Sequence, residues 1–479
     1  MVKVHAVQDE SIDVQNAANV DKDALRQSER DKAKHPGGLA WRKYGRQFLA
    51  TWSSTVQDAV GLTGIKYLVN NQSSQLRRFV WTLATLVGSL AVIYQMQERY
   101  ALFASVAKSV DFEIVYPTSL VFPAVTICNF NTYRNLNLDQ EPFGKILEDF
   151  NNFDMYGAVN FSSYEPQLRG VNLTNLTLHY GHLMTNGNMF ITGEWGNSGL
   201  ISPDNFSSVL TDSGLCYTFN GGENGTPPLT VNSAGKGNGL SVLLNLEQDY
   251  YYYSAATPIS AGFLVAVHEQ GKVPPLMRSV GISVPPGTEA RISIRKKQIK
   301  NIGNTGDCGT KELKYFSSYT SINCRRECEA QVILDKCGCV LPFEAVHQDL
   351  RVCDPIEMLS CVYTYSEILG VCECPMECEI TKFIPKLSLL SYPSEFVSDF
   401  YDSEFFLSKE FVRNNMVKME IYMEDIAVET ITQQRAYDFF EFLCDSGCAL
   451  GLWLGGSILT VVEILDHLFQ CILAQMNTK

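Results

Sequence analysis

Near the C-terminal end, the run GLWLGGSILTVVEILD (Gly451–Asp466) sets three glycines, two hydroxyl side chains and two carboxylates into an otherwise apolar span. Gly451 and Gly455 stand four apart, which allows the close helix packing of a small-xxx-small pair. Packing accounts for the glycines but leaves Glu463 and Asp466 unexplained, because ionisable groups in an apolar span are costly and face a partner or a water-filled path. On a helical wheel Ser457, Thr460, Glu463 and His467 stay near one face, at spacings of three, three and four. If several copies pack around an axis, that face lines a pore. A break at Gly455-Gly456-Ser457 then offers backbone carbonyls and a hydroxyl that can replace part of a cation's hydration shell.

Enzyme chemistry finds no footing. The chain has no phosphate-binding P-loop, nucleophile elbow, HExxH or dinucleotide fingerprint. HYGH (His179–His182) has a metal-like spacing, yet a surface or packed histidine pair explains it more simply. CECPMEC (Cys372–Cys378) could suggest zinc, but outside a cell it reads as disulfides. The basic run Arg291, Arg295, Lys296, Lys297 and Lys300 could attract phosphate or heparin; its alternation with Ile292, Ile294 and Ile299 fits a strand with one solvated face. No cofactor and no metal are expected, and a formal charge of −14 argues against nucleic acid while mildly favouring cations.

The elements that must hold such a path follow from hydropathy and charge. Phe79–Gln97 is nineteen residues without a charge, between Arg77-Arg78 and Glu98-Arg99, about the roughly 20 needed to cross a bilayer as a helix. A buried core helix is the alternative for either span alone, but two spans at opposite ends make it improbable. No secretory signal is expected before the first span, so it acts as the targeting element. Arg42, Lys43, Arg46, Lys66, Arg77 and Arg78 place the N-terminus in the cytoplasm. The expected organisation is a cytoplasmic region 1–76 with a re-entrant or pre-membrane segment 55–72, a first transmembrane helix 77–99, an extracellular cysteine-rich domain 100–447, a second transmembrane helix 448–469 with a Gly-Gly-Ser filter, and a cytoplasmic tail 470–479.

Twelve of the fifteen cysteines fall between Cys128 and Cys378, an even set in an oxidising compartment. Asn160, Asn172, Asn175, Asn205 and Asn224 begin N-x-S/T sequons on that same outer side, and Asn71 begins one that should face the cytoplasm. Residues 1 to about 40 lack apolar periodicity, and Trp41–Val69 interleaves aromatic and basic residues, as either a membrane-surface element or a solvated helix. Strands are expected in Phe112–Asn131, Gly214–Asn220, Leu240–Leu246, Ala261–Glu269 and Glu289–Ile299, and helices around Asn323–Leu334 and Pro393–Asn414. Asn220–Gly239 reads as a surface loop. The outer domain is therefore α+β, with a β core.

FPAVTICN (Phe122–Asn129), GLCYTFN (Gly214–Asn220), the closely spaced cysteines Cys308–Cys378 and GLWLGGSILTVVEILD together resemble the degenerin/epithelial sodium channel superfamily, nearer its acid-sensing and peptide-gated branches. The likeness runs in order from about residue 60 to 468. It implies a trimer, homomeric or heteromeric, with two membrane helices per subunit and an ectodomain of palm, finger, thumb and knuckle parts. It also implies a plasma-membrane, sodium-preferring channel, blocked by amiloride-type compounds and opened by an extracellular agonist, protons or an RFamide-type neuropeptide. By position, Gly455, Gly456 and Ser457 match the selectivity filter, and Thr460, Glu463 and Asp466 line the pore below it. The cysteine order implies the pairs Cys128–Cys216, Cys308–Cys378, Cys324–Cys374, Cys328–Cys372, Cys337–Cys361 and Cys339–Cys353.

Departures from the family pattern are specific. The His-Gly pair before the first span stands here as Thr63-Gly64, and an aromatic three residues before the first thumb cysteine is Thr305. Ile426-Ala427 matches a palm linker tied to desensitisation, with Ala in place of Asn. Cys444 and Cys448, with Gly451, occupy the outer pore mouth, where relatives carry small residues; the thiols could bond to each other, bridge subunits or stay free. Three alternatives stay open: a bile-acid-responsive or constitutive channel of the same family, an ATP-gated trimer, and a membrane-anchored receptor or adhesion protein without conductance.

Overall fold

The structure, a computed structural model, describes residues 74–151, 159–222, 225–253, 259–272, 274–275, 277–303, 308–316, 318–344, 350–365 and 372–476. Thr63, Gly64, Asn71, Asn224 and Thr305 lie outside them. The chain divides into two units, one carried by residues up to 107 together with those from 437 onward, the other by Lys108–Ala436.

The first unit is helical. Helix α1 (Gln75–Ala104) is capped by Ser74, whose side chain accepts the Arg77 N–H, and is long and apolar enough to cross a membrane. Its outward surface carries Phe79, Leu83, Leu86, Leu90 and Ile93, all exposed. An apolar stripe left uncovered over this length is what a lipid-facing helix requires.

The second unit is built on two sheets. The larger has seven strands. Its long members are β1 (Lys108–Val115), β2 (Leu240–Asn245), β3 (Thr288–Lys300), β4 (Glu379–Ser391) and β5 (Met416–Arg435). Their order is β4-β3-β5-β2, with β1 also pairing β5. Along β3, Ala290, Ile292 and Ile294 are fully buried while the alternate positions face outward, the period-2 pattern of a half-buried strand. On that outward face Arg291 meets Glu289, and Arg295 meets Glu424 and Glu429, so these members of the basic run stand among carboxylates on a solvated face.

β5 pairs in parallel with β3, antiparallel with β2 over Met416–Ile421, and antiparallel with β1 over Val428–Arg435. Between Met423 and Val428 the register slips against Ile294 and Lys296, a bulge that holds Glu424 to Ala427. The five-stranded sheet carries FPAVTICN and GLCYTFN on neighbouring antiparallel strands, with Cys128 opposite Cys216. The main core lies where side chains of both sheets meet, among Phe122, Phe219, Phe263, Leu244 and Ile421.

Six disulfides form, joining the pairs that the cysteine order implies. Helix α2 (Ser321–Cys337) starts on a Thr320 cap and stops at left-handed Gly338. It carries Cys324 and Cys328 one turn apart on one face, where they meet Cys374 and Cys372. A short helical region surrounded by loop is thereby laced where an apolar core is thin.

Two readings gain detail. In the second span α3 (Phe439–Leu454) and α4 (Ile458–Met476) meet at three residues, Gly455-Gly456-Ser457, and the pair bends by 82°. Ser457 accordingly sits in the break, off the helical wheel, because a left-handed glycine ends α3 before it. The strands expected over Phe112–Asn131 resolve into β1, Leu120–Val121 and Ala124–Asn129, since Pro117 and Pro123 cannot donate within a ladder.

Candidate functional site

The site grows from how α3 ends. Asp438 and Glu441 close a reciprocal capping box at its start: the Glu441 N–H donates to Asp438 Oδ1 at 2.8 Å and the Asp438 N–H to Glu441 Oε2 at 3.0 Å. At its end Gly455 has φ +65°, and its N–H donates to the Gly451 carbonyl at 3.0 Å. Only glycine enters that region cheaply. The Gly456 N–H reaches back to the Leu450 carbonyl at 3.2 Å, and the Gly456 carbonyl oxygen lies 3.6 Å from where a Cβ on Gly451 would stand. The carbonyl end of a helix, the negative end of its dipole, thus faces the break. That polarity suits a cation.

Ser457 and Thr460 begin α4. The Thr460 N–H donates to Ser457 Oγ at 3.3 Å, and Thr460 Oγ1 accepts the Ser457 N–H at 3.2 Å. Thr460 is buried, whereas Glu463 and Asp466, one turn apart on α4, are exposed.

α1 braces α3 along one face. Phe442 stacks on Phe103 at 5.6 Å, Arg99 reaches Asp445 at 3.3 Å, and Trp453 Nε1 donates to Gln95 at 3.1 Å. A Cβ on Gly88 would come within 2.9 Å of the Trp453 carbonyl. Phe442, Asp445, Ala449 and Trp453 follow spacings of three and four, so they share this face. Cys444, Cys448 and Gly451 fall on the opposite one. Both cysteines are exposed free thiols. Sequence reasoning missed Arg99, Gln95 and Trp453, whose only signal was the placement of polar or amphipathic groups at the ends of apolar runs.

Elsewhere the expected residues scatter. Ile426 and Ala427 sit in the β5 bulge, with Ile426 against the main core. Asn160, Asn172, Asn175 and Asn205 are exposed, and the Asn172 side-chain oxygen accepts the Asn175 N–H at 3.2 Å. The HYGH histidines do not converge: His179 is exposed, whereas His182 is buried between Glu247 at 3.3 Å and Asn131 at 3.2 Å. Burial holds the His182 pKa below its ordinary value even with Glu247 beside it. The CECPMEC cysteines are consumed in disulfides.

Sequence reasoning also missed a titratable cluster at α2. Glu344 accepts the Leu341 N–H at 3.0 Å. Burial pushes its carboxyl up to about 7, with Glu329 adding to the effect and Arg326 opposing it. Glu329 is raised as well, again chiefly by burial.

The family model described as amiloride-sensitive sodium channel matches residues 58–467. The chain belongs to that family. Its relatives include acid-sensing ion channel 1 of Gallus gallus, 29% identical over 449 residues that cover 86% of this chain and 82% of that protein. Acid-sensing ion channel 2 of Homo sapiens is 29% identical over 444 residues, 86% of this chain and 85% of that one. The bile acid-sensitive ion channel of Homo sapiens is 29% identical over 433 residues, 85% and 83% of the two chains. Members of the amiloride-sensitive sodium channel family are membrane ion channels, not enzymes, and their disulfide-rich β domain is extracellular. A cryo-EM structure of a proton-activated chloride channel superposes with a TM-score of 0.32 at 6% identity, over 82% of this chain and 96% of that one.

Proposed function

We propose that the chain is a subunit of a trimeric, sodium-selective, amiloride-sensitive cation channel of the plasma membrane. α1 and the broken α3–α4 pair serve as its two spans and both termini are cytoplasmic. The observation that carries this reading is the break itself. An apolar helix gives up its hydrogen-bonded ladder at Gly455-Gly456-Ser457, and non-helical backbone at membrane depth is tolerated only where it is buried in protein or lines a water-filled cavity. Three copies around an axis turn the carbonyls and Ser457 into a ring of oxygen ligands, with Thr460, Glu463 and Asp466 lining the path below it.

Protons or an RFamide-type neuropeptide open it from outside. The proton reading gains support from Glu344, whose carboxyl changes charge near pH 7, inside the disulfide-laced region. β1 and β5 carry the response, because Lys108 stands opposite Arg435 on one rung. These are the residues where the chain leaves the β domain toward α1 and toward α3. An agonist that binds the open arrangement more tightly shifts the equilibrium toward it.

Voltage clamp of oocytes expressing the chain, alone and with related subunits, tests the proposal with acid, RFamide peptides and bile acids. Amiloride-sensitive sodium current under one of them is expected. No such current under any of them sinks the reading. A bile-acid response would favour the alternative that the bile acid-sensitive relative suggests. A non-conducting receptor would leave Ser457 without any effect on selectivity.

A further inference from the structure

Cys444 and Cys448 are exposed free thiols on α3, one helical turn apart. On a helix, residues four apart have Cβ atoms about 5–6 Å from each other. A disulfide needs about 3.5–4.5 Å between Cβ atoms, so the two thiols cannot bridge without distorting α3. The same spacing suits a metal ion. With Zn–S bonds of about 2.3 Å in tetrahedral geometry, two sulfurs on adjacent turns reach one ion while the helix stays intact.

Their surroundings leave them available. Asp445, between them in sequence, turns to Arg99 and also accepts from Tyr437 at 2.8 Å, and Glu441 is occupied in the Asp438 cap. The thiols therefore lie on the face turned away from α1, and that face continues through Gly451, over which the Gly456 carbonyl sits, to the break at Gly455. Two soft donors thus stand on the stripe of α3 that reaches the Gly456 carbonyl, one of the oxygen donors proposed for sodium.

We propose that Cys444 and Cys448 form a binding site for a soft divalent cation, of which Zn²⁺ is the biological representative and Cd²⁺ the probe, at the outer end of the proposed ion path. On binding, each thiol gives its proton to solvent and two metal–sulfur bonds form, two protons released per ion, with water filling the remaining positions. Binding therefore tightens as pH rises. That the bound ion obstructs sodium rests on the channel reading above; that it binds does not.

Two measurements separate the ideas. Purified full-length protein is titrated with Cd²⁺ while the thiolate-to-cadmium ultraviolet charge-transfer band is followed, with Cys471→Ser as the control for the remaining thiol. One ion per chain is expected, unchanged in Cys471→Ser, with affinity lower by about tenfold or more in Cys444→Ser and in Cys448→Ser. A band that survives in the double Cys444→Ser/Cys448→Ser protein, or single variants that bind like the parent, overturns the site. In oocytes, micromolar Cd²⁺ but not Mg²⁺ should reduce the current of the parent and spare the double variant. A charge-transfer band with undiminished current overturns the placement on the ion path. Absence of any current bears on the channel proposal alone, and the band still decides the site.

Discussion

Ser457 and Thr460 cap one another: each backbone N–H donates to the other's hydroxyl oxygen, at 3.2 and 3.3 Å. The pair therefore fixes where α4 starts and how the Ser457 hydroxyl is turned. Thr460→Val removes one half of the exchange, a loss of about 1 kcal/mol at the helix start, whereas Thr460→Ser keeps it. Reversal potentials in sodium against potassium should move toward potassium in Thr460→Val and stay put in Thr460→Ser. An unmoved Thr460→Val would show that this cap has no part in selectivity.

Glu344 gives the β domain a pH dependence of definite sign. Its folded pKa, about 7, lies above the ordinary carboxyl value of 4.5, so the native state holds a proton that the unfolded chain has lost. That stabilisation is complete below about pH 4.5 and disappears as pH rises through 7. It amounts to at most about 3 kcal/mol. Melting temperature should rise as pH falls from 8 to 6, and Glu344→Gln should flatten that rise.

His268 works in the opposite direction. Its Nε2 lies 2.8 Å from Thr126 Oγ1, itself 2.8 Å from Thr218 Oγ1, and its Nδ1 lies 3.0 Å from the Glu269 carbonyl. Burial lowers its pKa from 6.5 to about 4, so the unfolded chain takes the proton first and stability is lost as pH falls from about 6.5 toward 4. His268→Gln should shrink this acid limb of the melting curve to the part that buried His182 contributes, while leaving the limb near pH 7 in place. Loss of both limbs together would mean that the two groups are not independent.

Arg134 and Glu247 form an ion pair at 3.3 Å with both side chains almost wholly buried, and Glu247 also holds His182. Removing one partner strands a charge, which costs about 3–5 kcal/mol. Glu247→Gln should accordingly deplete the folded channel from the cell surface, and the Arg134→Met/Glu247→Gln double variant should recover part of it. Surface biotinylation measures both. A double variant worse than the single would refute the charge-stranding account.

How far these features could be read from sequence varied with how local their causes are. The two apolar runs, the sequons, and the strands around FPAVTICN, GLCYTFN and Ala290–Ile294 announce themselves through charge gaps and alternation. The cysteine pairing came through family resemblance, since composition alone leaves many pairings open. β5 was hidden because Glu424-Asp425 interrupts its alternation and its burial is conferred by β2 and β3, more than a hundred residues away. The break after α3 was legible in Gly455-Gly456-Ser457, whereas its 82° angle was hidden: a glycine permits a left-handed backbone without announcing it. Glu344 shows the same limit, because its environment is assembled by folding.

β5 has one further mechanical meaning. Its twenty residues, at about 3.3 Å each, make a rod roughly 66 Å long. Hydrogen bonds on both edges stiffen its two ends, where it trades β2 for β1, and the bulge from Glu424 to Ala427 is the stretch where the ladder lapses. The rod behaves as two stiff arms meeting at an elbow. Ile426 and Ala427 stand at that elbow, between the arm held by β2 and β3 and the arm held by β1 and β3.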